Sequence, residues 1–333
     1  MTLREKVGQL VMFSLHGTSL TAEERSLIHK QHLGGVILFS QNYSNRTQLR
    51  ALTDQVQKAV RSSNATPVGA LVSADQEGGV VKRFPDMPPR YSAPELGAQR
   101  TSLSYSEGRA TGRALTANGV NVDLAPVADL DLPPQHVMRS RSFGTDPARV
   151  GRRVRAFGRG LQSRHAVATA KHFPGLGGAS VNSDDGHAYV RRSRWQLRHI
   201  DAVPFKKAIA GGLRMIMLSH GIFPHDGGKR PASVNHYIAT KRLRHDLGFQ
   251  GVAISDALDE VAWRFGGDTS RACVATIRAG VDIALLAGDA YGARSCAAAI
   301  RQAVKSGFIK QSRLDEAVAR VLDLKSWLGL LSP

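Results

Sequence analysis

The segment Gly251–Leu258 (GVAISDAL) runs through apolar residues and stops at the carboxylate of Asp256. An acid just past an apolar strand can attack an electrophilic carbon from one face, the anomeric carbon of a sugar among them. It can equally cap a following helix, a task for which Ser and Asp are both suited. Upstream, Ala170–Gly178 (AKHFPGLGG) sets an ammonium and an imidazole side by side at Lys171 and His172. At a strand end such a pair can hydrogen-bond ring hydroxyls. Residues 182–187 (NSDDGH) then bring Asp184, Asp185 and His187 together. A histidine held by a neighbouring aspartate serves first as general acid and then as general base. Gly175, Gly177, Gly178 and Gly186 predict a mobile loop that can carry such a group over a substrate. The same composition also suits a surface loop whose polar residues are incidental. A third stretch, Asp75–Phe84 (DQEGGVVKRF), offers an acid and Arg83 to bracket hydroxyl and N-acyl groups. Its paired glycines permit close backbone approach, although a capped turn with a solvated arginine has the same residues.

These groups need a scaffold that gathers them. Short apolar, β-branched runs recur at Gln9–Phe13, Gly35–Phe39, Gly69–Ala74, Val120–Pro126, Ala166–His172, Met215–His220, Gly251–Ser255 and Asp282–Leu286. Helical patterns lie between them, such as Thr47–Arg61, Ser106–Asn118, Pro147–Ser163, Asp201–Ala210, Thr240–Leu247 and Ser270–Ala279. Near-continuous apolar strands separated by amphipathic helices imply a parallel sheet buried on both faces. Eight such units without a Gly-rich dinucleotide signature predict an α/β fold, a (β/α)8 TIM-like barrel. Asp289–Lys305 and Gln311–Leu330 read as closing helices, and no linker divides residues 1–333, so one domain is expected. Catalytic groups of such barrels sit where strands end. Asp75, Asp129, Lys171-His172, Ser219-His220 and Ser255-Asp256 all fall at those ends.

Composition narrows the alternatives. Hydrophobic residues make up 42% of the 333, enough for a large core, which sets disorder aside. No run of 18 apolar residues occurs, so no membrane span is expected. The N-terminus lacks a basic, apolar, small-residue leader pattern, so the chain as written reads as cytoplasmic, and as exported only if a leader is missing from this sequence. The formal net charge of +18 comes mostly from arginines spread along the chain, with one short cluster at Arg191-Arg192-Ser193-Arg194. That is a generic basic surface with a capacity for anionic cell-wall polymers, and no nucleic-acid module accompanies it. Cys273 and Cys296 read as two small buried apolar residues, and nothing near them has metal-ligand spacing.

Taken together, these stretches resemble glycoside hydrolase family 3, in its single-domain bacterial β-N-acetylglucosaminidase branch. The resemblance runs from MTLREKVGQL at Met1–Leu10 through GGVILFS at Gly34–Ser40, Asp75–Phe84, VNVDLAPV at Val120–Val127 and Arg141-Ser142-Phe143. It continues through Lys171–Gly177, RPASVN at Arg230–Asn235 and LGFQGVAISDAL at Leu247–Leu258. It implies a retaining β-N-acetylhexosaminidase acting on terminal β-linked N-acetylglucosaminides, with no metal or organic cofactor. Asp256 falls on the family's nucleophile. Asp75, Arg83, Arg141, Lys171 and His172 fall on positions that grip the ring, and His220 joins them at the rim. Two departures stand out. The second histidine of the family's KHFPGHG motif is Leu176 here, and its Asp-x-His returns three residues late as Asp185-Gly186-His187. A strict count from Lys171 puts Asp184 at the family's histidine. The acid/base therefore stays open between His187, oriented by Asp185, and Asp184 or Asp185 itself. Val80 stands where the family has an arginine, which predicts the loss of an ion pair beside Asp75. The same fold also admits a β-glucosidase, a β-glycoside phosphorylase, or a sugar-binding homologue with impaired catalysis.

Overall fold

A computed structural model describes residues 1–62, 68–183, 186–288 and 290–331. The first helix, Leu3–Gly8, is set by a capping box in which Thr2 and Glu5 satisfy each other's backbone N–H groups. It leads into the first of eight strands: β1 Val11–Ser14, β2 Gly35–Leu38, β3 Leu71–Ala74, β4 Val122–Asp123, β5 Val167–Phe173, β6 Met215–Leu218, β7 Val252–Ser255 and β8 Ala284–Leu286. All pair in parallel, in the order β8-β1-β2-β3-β4-β5-β6-β7. A parallel bridge between Ile254 and Ile283 joins the last two and closes the barrel. Strand β4 is shorter than its apolar run because Pro126 has no N–H for the ladder.

The strands are buried on both faces: Met12, Val36, Val72, Val122, Ala168, Ile216 and Ile254 are all 0% exposed. Amphipathic helices cover the outside, among them Arg46–Arg61, Pro147–Gln162 and the C-terminal helix Gln311–Trp327. Among the described residues no helix is long and apolar enough to cross a membrane. At the end of the barrel opposite the strand C-termini, buried Asp282 receives Arg244, Arg313 and Arg320 at 2.6, 2.7 and 3.2 Å. Within the basic cluster, Arg192 pairs with Asp201 at 2.8 Å and Arg194 with Asp226 at 3.3 Å. These five arginines are therefore engaged in ion pairs within the fold.

Two features differ from the sequence reading. An antiparallel hairpin, Gln76–Gly78 with Val81–Lys82, follows β3 where only a turn was read. Cys273 and Cys296 are buried as expected, but they form a disulfide, with Cα atoms 5.7 Å apart. The pairing follows from the helices: Thr269–Ala279 and Ala290–Lys305 lie side by side and present these two residues across their contact.

Candidate active site

Strand β3 delivers Asp75 to the barrel mouth, and the hairpin after it turns back over the rim. Gly78 and Gly79 both have positive φ, and Gly78 lies against the Tyr91 carbonyl, so a side chain at either turn position is strained. The turn sends Glu77 inward and Val80 out, where Val80 is 72% exposed. Gln76 holds the returning strand, donating from Nε2 to the Phe84 carbonyl and accepting from the Phe84 N–H, each at 3.0 Å. Arg83 then reaches back to Asp75 Oδ2 at 3.2 Å.

Lys171 and His172 come from β5, whose ladder to β6 slips between Ala170 and Phe173. Lys171 Nζ bridges Asp75 Oδ1 at 2.5 Å and Glu77 Oε1 at 2.8 Å, and the ammonium side chain is only 2% exposed. Arg141 grips Glu77 with both arms of its guanidinium, 3.0 Å to Oε2 and 2.7 Å to Oε1. Three cations thus face two carboxylates. Burial alone drives the Asp75 carboxyl upward, but Lys171 and Arg83 outweigh it and bring the pKa down to about 2. Glu77 is lowered in the same way, against burial, by Lys171 and Arg141. Lys171 is raised, because Asp75 and Glu77 overcome its desolvation. Asp75 therefore keeps two cations despite the valine at position 80.

Asp129 fixes the histidine. Its Oδ2 lies 2.6 Å from His172 Nδ1 and 3.0 Å from the His172 N–H, while Oδ1 accepts the Leu176 N–H at 2.6 Å. This places the imidazole proton on Nδ1 and leaves Nε2 as an acceptor facing Arg141 Nη2 at 3.5 Å. Beneath them Asp123, at the end of β4, accepts one N–H from Gln76 at 3.1 Å through Oδ1. Burial holds its carboxyl well above the usual range, with Asp75 and Glu77 adding to the effect.

Asp256 emerges directly after β7. Its backbone N–H continues the ladder to the Leu218 carbonyl at 3.0 Å, and its Oδ1 accepts the Ala257 N–H at 3.0 Å. The side chain is half-buried, and no ion pair reaches it among the described residues. One carboxylate oxygen remains available at the mouth. His220 stands at the same rim. Its Nε2 donates to the Ala257 carbonyl at 2.7 Å and its Nδ1 meets Ser233 Oγ at 2.7 Å, so it braces the turn that carries Asp256.

The loop after β5 is tied down at its base. Ala179 bridges Val190, and Tyr189 bridges Ile222. Three of its four glycines serve close approach: Gly175 has φ +125°, Gly177 presses on the Leu130 carbonyl and Gly178 on Arg192, while Gly186 alone has open surroundings. Leu176, in place of the motif histidine, is fully buried. His187 is exposed and stacks on Trp263, with ring centroids 3.7 Å apart and planes at 25°. Asp184 and Asp185 lie outside the described residues. The sequence reading placed Asp129 at a strand end, where catalytic groups of such barrels sit, but gave it no role, and it singled out neither Glu77 nor Asp123. Glu77 follows Asp75 by two residues, so the signal that marked Asp75 reached it as well, whereas Asp123 lies inside the apolar run Val120–Pro126 and carried no such mark.

Residues 2–324 match the model of the glycosyl hydrolase family 3 N terminal domain. A beta-hexosaminidase of Nitrosospira multiformis is 34% identical over 290 residues, which cover 84% of this chain and 80% of the relative. The solved glycoside hydrolase family 3 beta-N-acetylglucosaminidase from Paenibacillus sp. str. FPU-7 superposes with a TM-score of 0.92 at 31% identity. That match covers 99% of this chain, which spans 63% of the Paenibacillus chain. The Beta-N-acetylhexosaminidase from Beutenbergia cavernae DSM 12333 gives a TM-score of 0.91 at 26% identity, over 98% of this chain and 99% of its own.

Proposed function

This chain is a glycoside hydrolase belonging to glycosyl hydrolase family 3, and from that premise we propose that it is a retaining β-N-acetylhexosaminidase that removes terminal β-linked N-acetylglucosamine. The observation that carries the reading is the Asp256 carboxylate, which follows β7 with no ion pair among the described residues, on the same barrel rim as the cluster of Asp75, Glu77, Arg141, Lys171 and His172. In the first step Asp256 attacks the anomeric carbon while His187 gives a proton to the departing glycosidic oxygen, leaving a glycosyl ester on Asp256. In the second, His187 takes a proton from water, the water oxygen attacks the same carbon, and the ester opens to return the carboxylate. Asp184 and Asp185 are the competing candidates for the proton.

Asp75, ionised at any working pH, accepts from sugar hydroxyls, and Lys171 and Arg141 donate to hydroxyl or N-acyl oxygens. The role we assign is cell-wall (peptidoglycan) or amino-sugar turnover. A net charge of +18 supports attraction to anionic cell-wall polymers, so turnover of such material falls with added salt. The disulfide supports work in an oxidising compartment in preference to the cytoplasm.

The test compares an aryl N-acetyl-β-glucosaminide with the aryl β-glucoside, for wild type and Asp256→Ala. The reading expects the glucosaminide to be the better substrate and Asp256→Ala to lose turnover. Normal cleavage by Asp256→Ala contradicts the nucleophile, and equal or faster cleavage of the glucoside contradicts the specificity. Release rates that rise with phosphate replace hydrolysis by phosphorolysis.

A further inference from the structure

The contact between His187 and Trp263 joins two loops that are remote in sequence, one following β5 and the other following β7, the strand that ends in Asp256. We propose that Trp263 is a positioning residue whose indole face holds the His187 imidazole in line for proton transfer at the bond Asp256 attacks. The proposal rests on the reading of His187 as the acid/base.

Both sides of the stack are anchored. Trp263 lies in the helical turn Leu258–Phe265, whose Leu258 and Val261 are fully buried. Asp259 in the same turn accepts the N–H groups of Ala287 and Gly288 at 2.7 and 3.1 Å, which fastens it to the loop after β8. The residue after His187, Ala188, is buried, and its carbonyl accepts the Ile222 N–H at 2.8 Å. A fixed backbone therefore presents His187 to a fixed indole. Trp263 stays 39% exposed, so the contact is not a by-product of core packing.

Free on an exposed surface, the histidine side chain samples several staggered rotamers. Face-to-face contact selects one of them and leaves the ring edge, with both nitrogens, open. Neither nitrogen has a hydrogen-bond partner among the described residues. The Trp195–His199 stack lacks these features: the two residues are one helical turn apart, with centroids at 5.1 Å, as neighbours on a helix are bound to be. A proton donor must come within hydrogen-bond reach of the leaving oxygen, and misplacement by about 1 Å costs up to roughly 100-fold.

The experiment measures kcat/KM, which reports glycosyl transfer to the enzyme, on two substrates. One is a 2,4-dinitrophenyl N-acetyl-β-glucosaminide, whose leaving group needs no proton. The other is the β-1,4-linked disaccharide of N-acetylglucosamine, whose leaving group does. Trp263→Ala is expected to lose about 10-fold on the disaccharide, mainly in kcat, and to stay within about 2-fold on the dinitrophenyl substrate. Trp263→Phe, which keeps an aromatic face, recovers most of the loss. In the free protein the His187 ring protons are expected upfield, under the indole ring current, and return downfield in Trp263→Ala.

Equal losses on both substrates, a loss confined to KM for the disaccharide (an indole that packs against sugar), no loss, or no ring-current shift each overturn the proposal. His187→Ala separates the two layers. If it shows the leaving-group dependence and Trp263→Ala does not, only the positioning role falls. If His187→Ala shows none, the acid/base assignment fails and the positioning role goes with it.

Discussion

Lys325 on the C-terminal helix is fully buried, and its Nζ donates to Gln9 Oε1 at 2.6 Å and to the Gly34 carbonyl at 2.8 Å. No carboxylate is among these partners, and burial brings its pKa from 10.5 down to about 7. A neutral amine carries two hydrogens, and the two acceptors use both. In the unfolded chain the same amine stays protonated up to its ordinary pKa. The unfolded state thus binds more protons than the native state between about pH 7 and pH 10.5, so stability rises with pH across that window and is lowest below it. Each pH unit is worth about 1.4 kcal/mol, and the native group is itself half-titrated near neutrality, so the gain from about pH 7 to pH 9 is about 2 kcal/mol. Lys325→Met keeps the chain length and removes the titration. It also leaves Gln9 Oε1 without this donor, so the pH slope is the readout and the absolute stability is not. Urea unfolding of both proteins at three pH values between about 7 and 9 should give a wild-type stability that climbs relative to the variant by about 2 kcal/mol. Parallel profiles would refute the reasoning and show the amine to be charged and hydrated in the native state.

Two further perturbations probe the site and its support. Glu77→Ala leaves Arg141 without its bidentate partner and Lys171 with Asp75 alone, so unfolding stability should fall by about 3 kcal/mol or more, the range for breaking a buried ion pair; a loss under about 1 kcal/mol would mean that water screens the cluster. Replacing both cysteines by alanine opens a link that spans 23 residues, and chain entropy predicts a loss of about 3 kcal/mol with wild-type activity retained. Two free thiols titrated in the unfolded, unreduced wild type would return the pair to the buried-thiol reading.

The eight strands were legible because each is an apolar run set between helical patterns, and where a run closes on a polar residue the pattern also gave the position of Asp75, Asp256 and the Lys171-His172 pair. What the pattern could not give was partnership. Arg141 and Glu77 are 64 residues apart, and Lys171 and Asp75 are 96 apart, so nothing local marks Glu77 as the carboxylate shared by two cations. Hairpin Gln76–Gly78 with Val81–Lys82 was missed because its strands are too short to show alternation. Glycines 177 and 178 read as a source of mobility because sequence does not reveal that a carbonyl and an arginine lie where their side chains would be. The disulfide was missed for a similar reason: two cysteines at this spacing carry no signature until two helices are laid side by side. Nor could sequence show that the ring nitrogens of His220, at a strand end, meet the hydroxyl of Ser233 and the carbonyl of Ala257.

The central claim is that the Asp256 carboxylate forms the bond to the sugar. It is tested most directly by incubating the protein with an activated fluorinated N-acetylglucosaminide whose glycosyl-enzyme breaks down slowly, then digesting it and locating the added mass. The account predicts one adduct per chain, on the peptide containing Asp256, absent from Asp256→Ala. An adduct on another carboxylate, or rapid turnover of the reagent with none trapped, would contradict it.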